Sequence, residues 1–244
     1  MDTPFRLDIE ELKERLQVAK IKIPDDEILN NFVAVEEALK AEVTDLLKSI
    51  AVEDPAGVFR VQPDQVSRIK ARMLIRSMFA TIEGIVYGMK QLALAAYRPD
   101  GPLTLDELLI CKEITFGLKD NGKVDGSSMR LKFEPNLKFS FMVLAKAFHQ
   151  TFEFDTNCLG WNRLVESVKV RNRLAHPKRP SDLELTDDEI GHAIEAYQWF
   201  NAQGSTLLEM FSKDIEKTNN YLDNMLQLIR SNRAKMSGGE KAQE

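Results

Sequence analysis

The sequence predicts an all-α protein that contains one small β-hairpin. Apolar residues recur every three or four positions in five or more segments, which is typical of helices that bury one face. A helix-start pattern, Thr followed three residues later by Glu, occurs at Thr104 and at Thr186. The strongest turn signal, Asp120 to Lys123, contains the Asn-Gly pair that favours a tight hairpin.

Composition and charge exclude several classes of protein. The 244 residues are 43% hydrophobic, which is ample for a packed core, and the net charge of -5 argues against a general nucleic-acid coat or a polybasic membrane binder. No run approaches the roughly 18 apolar residues that a membrane span requires. The two cysteines, Cys111 and Cys158, lie far apart, and the first residues lack a secretory pattern. We expect a reduced, cytoplasmic protein.

The N-terminal part of the chain is predicted to form an accessory helical region, residues 1–50. A short amphipathic helix opens at Asp8, ends at the Ile23–Asp25 break, and is followed by a helix over about residues 26–50. Residues 51–63 contain two prolines and a glycine and are predicted to be a linker.

A long helix is predicted from near Asp64 to the Arg98–Gly101 turn. Its apolar residues have core spacing; they are Ile75, Met78, Phe79, Ile82, Ile85, Val86, Met89, Leu92 and Ala96. Gly84 and Gly88 lie one turn apart on this helix, and no strand precedes them, so they favour a close helix crossing over a phosphate-binding loop.

Four further helices are predicted, over about residues 104–114, 136–151, 159–175 and 186–230. The hairpin lies between the first two of these, around the Asp120–Lys123 turn. We expect the last helix to break near Gly204, and residues 219–244 to form a helix end and a flexible tail.

The candidate site is the segment Arg171 to Lys178, which reads Arg-Asn-Arg-Leu-Ala-His-Pro-Lys. The proline disfavours helical geometry at His176, so the helix is predicted to end there. A helix end is exposed and has unpaired carbonyls, so the imidazole is expected to be both positioned and solvated.

The same segment is a positive spot on an acidic chain. Residues 169–181 contain five basic residues and no acidic one; they are Lys169, Arg171, Arg173, Lys178 and Arg179. This pattern suits a small anionic target better than a long duplex. A solvated helix end favoured by the helix dipole would explain Lys178 and Arg179, but not Arg171 farther back.

Helical spacing suggests why Arg171 is unusual. Trp161, Leu164 and the two valines that follow form a predicted buried stripe, which continues onto Asn172 with Arg171 at its edge. A buried guanidinium needs a partner, a cleft or a subunit interface. Two environments for Arg171 therefore remain as alternatives, a cleft and a structural ion pair. Glu83 on the long helix is the candidate partner for the ion pair.

Glu83 also has alternatives on its own helix. It shares a predicted face with Arg76 and Lys90, so it could instead pair with either of them at the surface.

The motif resembles the R-x(4 to 6)-H motif of the HEPN superfamily (higher eukaryotes and prokaryotes nucleotide-binding). Arg171 and His176 are separated by four residues, and the first of these, Asn172, is polar as in many members. The Arg76–Gly84 stretch and the helix that contains Trp161 are also similar to core helices of such domains. The resemblance implies a HEPN-like helical bundle over about residues 64–218.

For catalytic members, the resemblance implies a metal-independent endoribonuclease that needs no cofactor. His176 would transfer protons at the ribose 2′-OH or the leaving 5′-oxygen, Arg171 would clamp the charged phosphate, and Asn172 would orient either partner. Glu83, Arg173 and Lys178 would support them. The resemblance further implies a homodimer acting on RNA, a role as a toxin or phage-defence effector, and an antitoxin or other regulatory protein as partner.

A non-catalytic HEPN-like module that binds nucleotides or proteins is the alternative function, because a fold does not carry activity with it. Metal-ligand pairs, a phosphate-binding P-loop and a serine-hydrolase elbow are absent from the sequence. We therefore expect neither a metal nor another cofactor.

Overall fold

Helices make up most of the chain in the computed structural model, which describes residues 26–53, 59–61 and 67–239. Its α-helices are α1 (Asp26–Ile50), α2 (Arg68–Ala95), α3 (Leu105–Cys111), α4 (Phe133–Ala147), α5 (Leu159–Ala175) and α6 (Asp187–Gly239). A 3-10 helix, Pro180–Leu183, joins α5 to α6. The strands are β1 (Ala51–Glu53), β2 (Phe59–Val61), β3 (Ile114–Leu118) and β4 (Val124–Ser128). The prediction of a mostly helical fold with a small hairpin is confirmed.

Helix α2 is the central element of the fold. It contacts α1, α3, α4, α5 and α6, and half of its 28 residues are buried. Every residue of its predicted core stripe, from Ile75 to Ala96, is buried. Helix α1 adds Leu29, Val43 and Ile50 to the same core. The predicted helix that opens at Asp8 lies outside the described residues.

Two glycines allow α1 to approach α2 closely. A Cβ at Gly88 would overlap the ring of Phe32, and one at Gly84 would lie 2.8 Å from Cδ1 of Leu39. The close helix crossing that the sequence predicts is therefore confirmed. A larger side chain at either position would have to push α1 away from the core.

Capping residues set the helix starts that the sequence predicts. Thr104 Oγ1 accepts from the backbone N–H of Glu107 at 3.3 Å, and the Glu107 carboxylate accepts from the N–H of Thr104 at 2.8 Å. Thr186 and Glu189 make the same reciprocal pair at the start of α6, at 3.2 and 3.0 Å.

The predicted hairpin is formed by β3 and β4. Leu118 pairs with Val124 across the turn, and Gly122 takes a left-handed conformation with φ of 75°. The segment predicted as a linker contains a second hairpin, since β1 pairs antiparallel with β2.

The predicted start and end of α4 and the expected break in α6 are wrong. Helix α4 begins at Phe133, with Pro135 inside its first turn, where a missing N–H costs nothing. It ends at Ala147, short of the predicted 151, because the following His149 has a φ of 59°. Helix α6 continues through Gly204 and the predicted tail to Gly239 without the expected break.

A charged side chain lies in the core next to α2. Lys90 has no exposed surface, and its ammonium contacts the Glu113 carboxylate and donates to Asn136 Oδ1 at 2.9 Å. Glu113, at the base of β3, is 38% exposed and so keeps contact with water. Lys90 therefore connects α2, the hairpin and α4 through one buried group.

Lys90→Ala should lower the free energy of unfolding by about 2–4 kcal/mol, because it opens a cavity and removes the ammonium. Lys90→Met should cost only about 1 kcal/mol, because it keeps the buried stem and Glu113 turns to water. Urea denaturation of both variants measures the difference. Equal losses would show that the ion pair, rather than packing of the stem, provides the stability.

Candidate functional site

The Arg-Asn-x-x-x-His segment closes α5 where the sequence predicts. The helix ends at Ala175, and His176 leaves helical geometry with φ of -129° and ψ of 59°. Its backbone N–H still donates to the Asn172 carbonyl at 3.1 Å, which completes the last turn. Pro177 follows, and the His176 side chain is exposed to solvent.

The guanidinium of Arg171 is held by two neighbours. Its Nη2 contacts Oε1 of Glu83 on α2, and its Nη1 donates to Asn172 Oδ1 at 2.9 Å. The Arg171 side chain is 28% exposed. Glu83 therefore pairs with Arg171, which is one of the predicted arrangements, and the Lys90 alternative is wrong because Lys90 is buried against Glu113.

The predicted position of Asn172 on the buried face is wrong. The buried residues of α5 are Trp161, Leu164, Ser167, Val170 and Leu174, whereas Asn172 is exposed. Val165 and Val168, which the prediction used to define the stripe, are only half-buried. Asn172 is thus a solvent-facing residue that orients Arg171, and no contact joins its amide to the His176 ring among the described residues.

A row of arginines on α2 holds the chain on both sides of His176. Arg76 donates to the Leu174 carbonyl at 2.7 Å, Arg72 to the Leu183 carbonyl at 3.0 Å, and Arg68 to Asp187 at 2.8 Å. Leu174 belongs to the last turn of α5, whose carbonyls lack helical partners. These arginines are spaced four residues apart, so one face of α2 carries all three.

The sequence signal for this row was the four-residue spacing of Arg68, Arg72 and Arg76. Their acceptors could not be identified from sequence, because two are backbone carbonyls about 100 positions away in the chain.

The positive spot is partly neutralised in the folded chain. Arg171 pairs with Glu83, and Arg173 donates to Glu189 at 2.9 Å. The side chains of Lys169, Lys178 and Arg179 are exposed, as predicted for a basic surface. The segment itself contains no acidic residue, but carboxylates from α2 and α6 pair with it in the folded chain and reduce its net positive charge.

The turn after His176 is fixed by Asp182. Its Oδ2 accepts from the backbone N–H of Lys178 at 2.7 Å and of Arg179 at 2.9 Å. These two hydrogen bonds, first that from Lys178, lower the pKa of the Asp182 carboxyl below its ordinary 3.8. The arrangement fixes the backbone just beyond the candidate imidazole.

Within the described residues, no three His, Cys, Asp or Glu side chains converge in a way that could hold a metal ion. None of the helices there has the length and hydropathy needed to cross a membrane.

No protein-family model, no curated protein and no solved structure matches this chain. The likeness to HEPN domains therefore rests on the motif and on its place at the end of α5.

Titration of Asp182 should be visible at the backbone. The amide signals of Lys178 and Arg179 should shift together, with a midpoint below the ordinary 3.8, in an NMR titration to low pH. The lowered pKa means that this stabilisation is present above 3.8 and is lost as the pH falls through the folded-state value.

Asp182→Asn should abolish the shared titration, whereas Asp188→Asn, which removes an exposed charge nearby, should preserve it. A midpoint at or above the ordinary value would contradict the two hydrogen bonds.

Proposed function

We propose that the protein is a metal-independent endoribonuclease of the HEPN type, acting as a homodimer. The observation that supports this most is the arrangement at the end of α5. A positioned guanidinium, that of Arg171, lies a little over one turn before the exposed imidazole of His176. A phosphodiester bound at this helix end could meet both groups.

The proposed reaction needs only proton transfer and charge stabilisation. The ribose 2′-oxygen loses its proton and attacks the adjacent phosphorus, and the bond to the 5′-oxygen breaks as that oxygen gains a proton. His176 transfers these protons, a contribution typically worth about 10²- to 10⁴-fold in rate. The products are a 2′,3′-cyclic phosphate, or the 3′-phosphate formed from it, and a 5′-hydroxyl.

Arg171 stabilises the negative charge that gathers on the non-bridging oxygens, since a guanidinium is planar and always charged. Its pairing with Glu83 and Asn172 fixes the plane of the guanidinium before substrate binds, which preorganises the site. The exposed amines of Lys178 and Lys169 lie on the same basic segment and attract RNA. Glu83 and Arg173 are positioning residues.

The proposed biological setting is a growth-arresting toxin or a phage-defence effector controlled by an antitoxin or another regulatory protein. This setting is proposed because the HEPN resemblance implies it. Cytoplasmic localisation belongs to the same proposal, because RNA is the substrate.

A non-catalytic HEPN-like module that binds a nucleotide or a protein is the second candidate function. The Arg171–Glu83 ion pair favours it, since this contact joins α5 to α2 and gives Arg171 a structural role without any substrate. The exposed His176 distinguishes the two functions, because its imidazole contributes little to packing.

RNA cleavage in excess chelator tests the enzymatic proposal. Arg171→Ala and His176→Ala should each lower the rate by about 10²-fold or more. His176→Ala should leave the melting temperature unchanged, because the side chain is exposed. Arg163→Ala is the matched control on α5, since Arg163 pairs with Glu195 at 3.1 Å and should not affect cleavage.

Cleavage that survives both motif substitutions would rule out Arg171 and His176 as the catalytic groups, and with them the HEPN-type assignment. The binding module would be supported instead if both variants bind a nucleotide or a protein as the wild type does, and only Arg171→Ala lowers the melting temperature.

A further inference from the structure

The hairpin of β3 and β4 presents an apolar face to solvent. Residues that pair directly across the two strands point to the same side, and on one side these pairs are Phe116 with Gly126 and Leu118 with Val124. Phe116 is 55% exposed, Leu118 79% and Val124 67%. Every residue of β4 and four of the five residues of β3 are exposed, so no other described element covers this face.

The outer edge of β3 has free backbone groups. The N–H of Lys119 donates to the Lys123 carbonyl at 2.9 Å, so the odd-numbered residues of β3 form the hydrogen-bonded pairs of the hairpin. The residues between such pairs direct their N–H and C=O groups away from the partner strand. On β3 these include Phe116 and Leu118, whose backbone groups have no backbone partner among the described residues.

Phe116 and Leu118 therefore offer two kinds of contact at once. Their side chains form part of the apolar face, and their backbone groups form the edge beside it. An extended peptide can use both, because it adds as a third strand along the edge and lays alternate side chains over the face. A two-stranded hairpin is only marginally stable in water, and a third strand increases its stability.

The hairpin and its flanks are basic, although the chain as a whole is acidic. Residues 112–132 contain five basic and three acidic residues, whereas the net charge of the chain is -5. Two of the three carboxylates are already paired, since Glu113 contacts the buried Lys90 and Asp125 lies 3.0 Å from Nζ of Lys119. The other basic side chains of the segment are exposed; they are Lys112, Lys123, Arg130 and Lys132. Charge complementarity thus favours an acidic partner.

We propose that the edge of β3 binds an extended, acidic segment of a partner protein. The segment adds antiparallel to β3 as a third strand, and its alternate apolar side chains cover Phe116 and Leu118. The proposal is separate from RNA cleavage, because the hairpin contains neither Arg171 nor His176.

A lipid surface fits the hairpin less well than a peptide does. The turn between the strands, residues 119–123, is polar and contains two lysines and one aspartate. The free N–H and C=O groups of both edges would lose their water in hydrocarbon without gaining a partner, so insertion is unfavourable.

Single-stranded RNA also fits less well. Nucleic-acid bases stack on open aromatic rings. The ring of Phe116 packs over its cross-strand neighbour, since its Cε1 lies 3.5 Å from where a Cβ at Gly126 would be. Leu118 and Val124, the most exposed side chains of this face, have no ring on which a base could stack.

A second hairpin from another copy of the chain is the remaining occupant to consider. It would bring the same excess of lysine and arginine to the edge of β3, and like charges on neighbouring strands repel. The charge that favours an acidic peptide therefore disfavours pairing between two copies of this hairpin.

Hydrogen exchange in the full chain tests the strand addition. The probe is a synthetic peptide of alternating valine and glutamate, about seven residues long so that it spans the five residues of β3. In the free chain, the amides of Phe116 and Leu118 should exchange faster than that of Gly117, which faces β4. Saturating peptide should slow exchange at Phe116 and Leu118 by about tenfold or more.

Methylation of the peptide nitrogens distinguishes strand addition from simple apolar contact. In an antiparallel third strand, the valines that lie over the apolar face direct their N–H groups toward β3, and the glutamates direct theirs away. A peptide with methylated valine nitrogens should therefore give no protection, and one with methylated glutamate nitrogens should protect as the parent does. Equal effects of the two methylated peptides would overturn the strand addition.

Leu118→Glu should weaken binding of the peptide by about tenfold or more, because it removes an apolar contact and adds a charge that repels glutamate. Leu159→Glu is the matched control, since Leu159 is 63% exposed at the start of α5 and should not affect binding. Both side chains are largely exposed, so both variants are expected to fold.

Three outcomes would contradict the acidic peptide as the occupant. The first is a lack of protection by the parent peptide, and the second is binding that Leu118→Glu leaves unchanged. The third is protection of Phe116 and Leu118 by anionic lipid vesicles, by unstructured RNA or by a high concentration of the chain alone, where the peptide gives none.

Discussion

The end of α5 leaves backbone carbonyls without helical partners, and the candidate site depends on how α2 satisfies one of them. Arg76 donates to the Leu174 carbonyl, and Glu83, two turns farther along α2, binds Arg171. The central helix thus packs the core on one side and fixes the motif on another. Half of the residues of α2 are buried, so the motif is attached to the central helix of the core.

The contact between Arg171 and Glu83 is an ion pair that joins two helices. Under the proposed function, the same contact also holds the guanidinium in place for an anionic substrate. The enzymatic and the binding proposals differ in what the exposed His176 does. Its backbone is held by the last turn of α5, and the backbone that follows it is held by Asp182.

Local sequence signals predicted the local structure well. The Thr104 and Thr186 caps, the hairpin turn and the end of α5 before Pro177 all involve residues close together in the chain. The predictions failed where tertiary contacts decide. Asn172 was assigned to the buried face from four apolar residues, whereas α5 buries a face that runs through Val170 and Leu174. The acceptors of Arg72 and Arg76 depend on packing and had no sequence signal.

Mixing two inactive variants tests most directly whether the proposed catalytic site is built from residues of both copies. If His176 of one copy acts with Arg171 of the other, heterodimers of Arg171→Ala with His176→Ala contain one intact pair. Subunit exchange should then restore about a quarter of wild-type RNA cleavage, since half of the dimers are mixed and each has one of two sites. No recovery in the mixture, with subunit exchange verified, would contradict a site built from both copies.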